Sequence, residues 1–250
     1  MLLLIDAGNT RIKWALADPS APLGSWTHSG VMSHQEFAQQ AAPWASHVIN
    51  RAIVSNVAGT ALRERIADAL RAQVEVEWFA SQLRAAGVLN HYRDPEQLGC
   101  DRFAAAIGAH ALYPNQHLII ATCGTATTVD AVTAQGDFIG GMIVPGLQLM
   151  ARSLASNTAQ LPHVDNPSAV ALRFAKHTED AIISGCLAAQ VGAIEYAAHN
   201  FTTLGSVPIL DAPFCILSGG AAQYITPNLR VSHRLVDNLV LIGLQAFSSC

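Results

Sequence analysis

Charge is scarce in this 250-residue chain: 13% of its residues are Asp, Glu, Lys or Arg, the net charge is −4, and Lys and Arg nowhere gather into a cluster. A surface that neutralises several phosphates of a duplex has nothing to be built from, so nucleic acid is not expected as a partner. The five cysteines, Cys100, Cys123, Cys186, Cys215 and Cys250, are an odd set without CxxC spacing, which suits free thiols in a reducing compartment. The ten histidines form neither HExxH nor a Cys/His ligand set, so structural zinc is disfavoured. There is no GxSxG elbow for acyl transfer, no GxxxxGKS/T loop and no GxGxxG fingerprint. No apolar run approaches the roughly 20 residues of a membrane-spanning helix, and the chain opens straight into a strand, without a basic leader. The expectation is a cytoplasmic protein with no membrane partner.

What the chain does contain is a repeat. LLLIDAGNTRIKWALA at residues 2–17 has a counterpart 116 positions later, LIIATCGTATTVDAVT at 118–133. Each is an apolar β-type run, a turn built on Gly and Thr, and a returning apolar strand. Asp6 falls on Thr122, Ala7 on Cys123 and Gly8 on Gly124. Self-similarity on this scale marks a duplicated unit, and a duplicated strand, phosphate-sized turn and strand points to a nucleotide held between two related halves. The length accommodates two small domains, divided near Pro114 into 1–114 and 115–250.

Alternating strands and helices imply α/β layering. In the first half the strands are Leu2–Ile5, Ile12–Ala17, a third near Gly24–His28, and His47–Ser55. A helix begins near Ser33, where Ser33 and Glu36 have capping-box spacing, and Thr60–Ala72 has helical spacing. Gly99–Tyr113 reads as an Ala-rich helix stopped by Pro114. In the second half the strand His117–Ala121 precedes a hairpin in which Gln135–Asp137 joins Thr128–Ala134 to Phe138–Val144. Thr178–Asn200 has the length of a five- to six-turn helix, and Phe214–Leu217 is a strand ending in Ser218-Gly219-Gly220. On the long helix Gly185, Ala188, Ala189 and Gly192 form a smooth stripe, which suits either packing on the chain's own core or a twofold helix-to-helix contact.

Three segments carry chemistry. At Asp6-Ala7-Gly8-Asn9-Thr10, Gly8 is expected to take angles closed to other residues and to leave no Cβ in the way, while the Asn9 and Thr10 amides face anionic oxygens. Lys13 reaches a terminal phosphate as a point charge, and an acid such as Asp6 beside phosphates makes sense through a metal ion or its waters. Alone, the segment is equally a Gly-Asn hairpin turn; its echo at Gly124–Thr128, with the bare Ser218–Ala221 turn, turns it into a clamp. The third segment, Tyr92–Arg102, places Gly99–Arg102 at a helix N-terminus. There Asp101 can orient and deprotonate a hydroxyl and Arg102 can grip a carboxylate, although an ordinary acidic first turn has the same residues.

DxGNTxxK at 6–13, YxxPxxLGxDR at 92–102, GTATTVD at 124–130, a Gly-Gly turn at 219–220 and LxLIGL at 239–244 together resemble the type III pantothenate kinases. That family, which includes accessory-factor proteins named for a virulence regulator, belongs to the superfamily of actin, heat-shock chaperones and sugar kinases. The resemblance implies two similar ribonuclease H-like, actin-like ATPase domains with a cleft between them. It also implies ATP- and Mg²⁺-dependent phosphorylation of pantothenate to 4′-phosphopantothenate, the first step toward coenzyme A, by a homodimer. Carried over by position, Asp6, Ala7, Gly8, Asn9, Thr10, Arg11, Ile12 and Lys13 lie along ATP with Gly124 and Thr125. Tyr92, Gly99, Cys100, Asp101, Arg102 and Thr178 bind pantothenate, Asp101 being the proton acceptor. The family often has an Asp at the position of Thr122, where it helps hold a monovalent cation, K⁺ or NH₄⁺; the hydroxyl here puts that cation in question. The rival readings are another small-molecule kinase of the superfamily and a nucleotide-sensing regulator without transfer activity.

Overall fold

The computed structural model describes residues 1–18, 20–70, 74–164, 174–201 and 211–249. Cys250 and the end of the expected Thr60–Ala72 helix lie outside the described residues. The chain divides into two compact units, one of Met1–Asn115, Gln135–Phe138 and Asn238–Cys250, the other of Gln116–Ala134 and Ile139–Asp237. It thus leaves the first unit at Asn115, and its last helix returns there.

The elements of the first unit are β1 (Leu2–Ala7), β2 (Arg11–Ala17), β3 (His28–Ser33), α1 (His34–Gln39), β4 (Arg51–Asn56), α2 (Thr60–Ala69), β5 (Glu75–Phe79), β6 (Arg84–Ala85), β7 (Val88–Asn90) and α3 (Cys100–Leu112). Then come β8 (Leu118–Cys123), β9 (Ala126–Val132), β10 (Asp137–Pro145), α4 (Leu147–Asn157), α5 (Thr178–Phe201), β11 (Phe214–Ser218), α6 (Ala222–Ile225), β12 (His233–Leu235) and α7 (Leu239–Ser248). The first sheet has the order β3-β2-β1-β4-β5, antiparallel through β3, β2 and β1 and parallel from β1 to β5. The second unit repeats it as β10-β9-β8-β11-β12, with β8 antiparallel to β9 and parallel to β11. The duplication legible in two strands and a turn therefore extends across whole sheets.

β1 is paired on both sides and buried on both faces, which is why Leu2–Ile5 is apolar without alternation. Leu3, Ile5, Ile12, Trp14 and Leu16 pack with Phe37, Trp44, Leu62 and Ile66. Elsewhere in the unit α7 lies against α3 and touches β1, β2 and β4. A Cβ on Gly108 would stand 2.6 Å from the Leu239 carbonyl oxygen, and one on Gly243 would run into that of Ala104. Two facing glycines let the helices approach backbone to backbone, and this contact draws the C-terminus into the first unit.

Some boundaries differ from the sequence reading. The third strand lies at His28–Ser33 instead of Gly24–His28. The preceding loop is tied to α7 by Gln245, whose Oε1 accepts from the Gly24 amide at 2.9 Å and the Trp26 indole at 3.0 Å. The strand expected from His47 starts at Arg51. The Ser33–Glu36 capping box is present. One expectation fails on its own ground: α5 is long and apolar enough, by length and composition, to cross a membrane. Its Ile182, Ile183, Leu187, Ile194, Ala198 and Phe201 pack with Ile119, Ala121 and Leu217 in the second unit's core, as in a core helix apolar on nearly all sides.

Candidate functional site

In the first unit the turn Gly8–Thr10 links two antiparallel strands whose register sets Asp6 opposite Lys13 and Ala7 opposite Ile12. The Gly8 amide closes the turn on the Arg11 carbonyl at 3.1 Å. Gly8 is not among the positive-φ residues, so the unusual backbone angles expected of it are not used. What it supplies is room, since a Cβ would stand 3.3 Å from the Arg11 oxygen. Asn9, Thr10 and Arg11 are exposed, while Asp6 and Lys13 are partly buried.

Burial pushes the Asp6 carboxyl up to about 7; Lys13 opposes the shift and the charge of Asp101 adds to it. The register of β1 with β4 sets Ser55 beside Asp6 and Asn56 beside Ala7. Cys100 Sγ lies 3.3 Å from Ser55 Oγ and donates to the Asn56 carbonyl at 3.6 Å. These contacts moor the head of α3 to the ends of β1 and β4 and bring the Asp101 carboxylate within electrostatic reach of Asp6. Burial also raises the Cys100 thiol, which makes it a mooring group and not a nucleophile.

Asp101 Oδ1 accepts the Arg102 amide at 2.9 Å. A Cβ on Gly99 would come within 2.7 Å of that oxygen, so a larger residue there would displace the Asp101 carboxylate. Burial raises the Asp101 carboxyl, and the Arg102 amide and guanidinium partly offset it. Arg102, only 7% exposed, donates from Nη1 to Tyr92 Oη at 2.8 Å. Its guanidinium lies 5.6 Å from the Tyr92 ring centre and 5.9 Å from that of Phe138, an arrangement worth a modest cation–π attraction. The strap leading to α3 hangs on Asn90, 1% exposed, which accepts the Tyr92 amide and donates to the Pro95 carbonyl, both at 3.0 Å.

The first unit thus gathers Asp6, the Gly8–Thr10 turn, Lys13, Tyr92 and Gly99–Arg102. The sequence reading missed Ser55, Asn56, Asn90 and Phe138. The first two were findable, because ligands favour the carboxyl ends of adjacent parallel strands; nothing local marked Phe138.

In the second unit the matching turn is one residue shorter, Gly124–Thr125, with Cys123 opposite Thr127 and Thr122 opposite Thr128. Where the first unit pairs a carboxylate with an ammonium, this one pairs two hydroxyls. Gly146, capping α4, donates its amide to the Thr125 carbonyl at 2.9 Å, and a Cβ there would collide with the Gly124 carbonyl. Gly219, at φ +94°, leaves no space for a Cβ beside the Cys123 carbonyl, which accepts the Ala221 amide at 3.1 Å. Three glycine elements converge here. Gly146 was not singled out from sequence, although a Pro-Gly pair between strand and helix signals it. Thr178 heads α5 and is exposed. Among the described residues, no three or more His, Cys, Asp or Glu side chains cluster as metal ligands.

The family model of the type III pantothenate kinases matches residues 2–200, which takes in every one of these segments except the Gly219 turn. The chain belongs to that family. A type III pantothenate kinase from Herminiimonas arsenicoxydans is 55% identical over 250 residues, covering 98% of this chain and 96% of its own. Among solved structures, a Campylobacter jejuni protein described as a Baf family transcriptional activator superposes with a TM-score of 0.64 at 17% identity, over 98% of this chain and 96% of that one. A Sinorhizobium meliloti protein described as a 2-dehydro-3-deoxygalactonokinase does so at 0.57 and 13% identity, over 100% and 98%. At such identities the superpositions speak for the fold alone, that of the actin-like sugar kinases with paired ribonuclease H-like units. The kinase family and the repeated sheet agree.

Proposed function

We propose that this pantothenate kinase transfers the γ-phosphoryl group of ATP to the primary hydroxyl of pantothenate, with Asp101 as the group that aims the hydroxyl and receives its proton. The observation that carries the assignment is the head of α3, moored through Cys100 to Ser55 and Asn56 so that the Asp101 carboxylate senses Asp6. A carboxylate whose proton affinity is raised by burial is a better acceptor at neutral pH than one in water. It stands beside a turn that suits phosphates.

Phosphoryl transfer asks a protein chiefly for alignment and charge neutralisation. Lys13 brings a positive charge to the phosphate side, and Asn9 and Thr10 bring exposed polar groups. Asp6, elevated by burial and by a like charge, fits a Mg²⁺-bound nucleotide, because a nearby cation restores its ionised form. Magnesium arriving with ATP supplies charge neutralisation on the phosphate oxygens. Arg102 and Tyr92 act as a pair on the substrate carboxylate. Tyr92 Oη accepts from Arg102, which leaves its own hydrogen to donate outward. Gly124 and Thr125 also serve the nucleotide.

The finer assignments follow the same reading. Gly185, Ala188, Ala189 and Gly192 are exposed along α5, which supports a homodimer across that helix with Thr178 touching pantothenate near the interface. Thr122, paired in register with Thr128, offers a hydroxyl where the resemblance leads one to expect a carboxylate, so a monovalent cation is held more weakly here. The protein works in the cytoplasm. The test is ADP formation from ATP with and without pantothenate, repeated in sodium and potassium buffers. Pantothenate-dependent turnover equal within about twofold in both salts is expected; turnover indifferent to pantothenate would overturn the assignment.

A further inference from the structure

We propose that His34 is a positioning residue for ATP, holding the Gly8 carbonyl away from the phosphates so that the turn presents hydrogen-bond donors to them. The inference rests on assigning Gly8–Lys13 to the nucleotide.

A phosphate-binding turn has a defect built into it: every amide it offers comes with a carbonyl oxygen that repels the anion unless something occupies it. At Gly8 that something is His34, whose Nε2 lies 2.9 Å from the Gly8 oxygen. A carbonyl only accepts, so Nε2 carries the hydrogen in this contact. The placement is set by local structure. The β2–β3 register puts Ser33 opposite Arg11, the residue just past the turn. The Ser33–Glu36 capping box then ends the strand and starts α1 at that point, so the first helical side chain falls back over the turn. The neighbouring carbonyl, Ala7, is occupied by the Val57 amide at 3.1 Å.

The second unit meets the same need with different donors. There Gly146, the N-cap of the helix after the third strand of the repeat, gives its amide to the Thr125 carbonyl at 2.9 Å, and the Ala221 amide takes that of Cys123 at 3.1 Å. Ala7 with Val57 and Cys123 with Ala221 are equivalent pairs, each joining the end of the first strand to the residues after the fourth. Gly146 is the N-cap of α4 as Ser33 is of α1, so it stands one residue before the counterpart of His34, and the carbonyl it takes, Thr125, lies one past Gly124, the counterpart of Gly8. In both units the start of the helix after the third strand supplies a donor to a carbonyl of the turn, once through an imidazole and once through a backbone amide.

The test compares His34→Ala, His34→Gln and Lys13→Met with the parent. The readouts are KM for both substrates, kcat, and Kd for a non-hydrolysable ATP analogue with Mg²⁺. Losing one hydrogen bond is expected to raise KM and Kd for nucleotide about five- to tenfold in His34→Ala, with KM for pantothenate within about twofold of the parent. His34→Gln, which keeps a donor on a chain of similar reach, recovers most of the loss. If His34→Ala melts below the assay temperature, His34→Gln against His34→Met gives the same contrast at matched length. Nucleotide affinity unchanged in His34→Ala but weakened in Lys13→Met overturns the role of His34 alone. Affinity unchanged in both overturns the assignment of the turn to ATP.

Discussion

Replacing Asp6 with Asn is expected to stabilise the ligand-free protein at alkaline pH while removing its response to Mg²⁺-ATP. The Asp6 carboxyl rises from 3.8 to about 7, through burial first and the charge of Asp101 last, against the pull of Lys13. Because the folded value lies above the unfolded one, the native state keeps a proton between about pH 4 and pH 7 that the unfolded chain has released. Stability therefore falls as pH rises across that window, and above pH 7 the full penalty is present. The rise from 3.8 to about 7 corresponds to a ceiling of about 4 kcal/mol; the side chain is partly reached by solvent, so about 2 kcal/mol is expected after screening. Urea unfolding of parent and Asp6→Asn at pH 3.5 and pH 8, without nucleotide or metal, measures it. The two should coincide within about 0.5 kcal/mol at the lower pH and separate by about 2 kcal/mol in favour of Asn at the higher. Parallel pH dependences would show that Asp6 is an ordinary surface carboxylate and would refute the electrostatic picture of the site. The same linkage has a binding signature: below pH 7 Mg²⁺-ATP should expel protons from the parent that it does not expel from the variant, read by calorimetry in buffers of different ionisation enthalpy.

Three further outcomes follow from the geometry. Asp101→Asn keeps the shape of the α3 head but removes the proton acceptor, so kcat should drop about 10²- to 10⁴-fold with ATP-analogue affinity within about threefold of the parent; single-turnover kinetics decide it, and an unchanged chemical step removes Asp101 from the mechanism. Arg102→Ala breaks the contact with Tyr92 and the grip on a carboxylate, so KM for pantothenate should rise about 10- to 100-fold, while pantethine, which lacks the carboxylate, should be affected far less. Gly243→Ala forces a methyl into the Ala104 carbonyl and should cost about 2–3 kcal/mol, seen as a lower urea midpoint; an unaltered midpoint would mean that α7 is not packed as described.

Much of the site was written locally. The Asp6–Lys13 and Gly99–Arg102 segments could be picked out because strand–turn–strand and turn–helix signals are made by neighbours in the chain, and those elements formed where their spacing placed them. The capping box at Ser33 could be read for the same reason. Its consequence could not: His34 meets Gly8 only because β2 and β3 pair in one particular register. Gly8 teaches the complementary lesson, since glycine in a turn suggests unusual angles, whereas here the demand is for space against Arg11.

The sequence by itself determined the duplication, the two glycine–threonine turns, the residues able to handle phosphates and an alcohol, and the family they resemble, because all of these reside in residue type and short-range spacing. The tertiary structure alone decided that α7 returns to the first unit, that Phe138 underlies Arg102, that Cys100 moors α3 to β4, and that Asp6 and Asp101 share one electrostatic environment. Each of these depends on strand register or on backbones approaching across bare glycines, and neither quantity has a local signature in the chain.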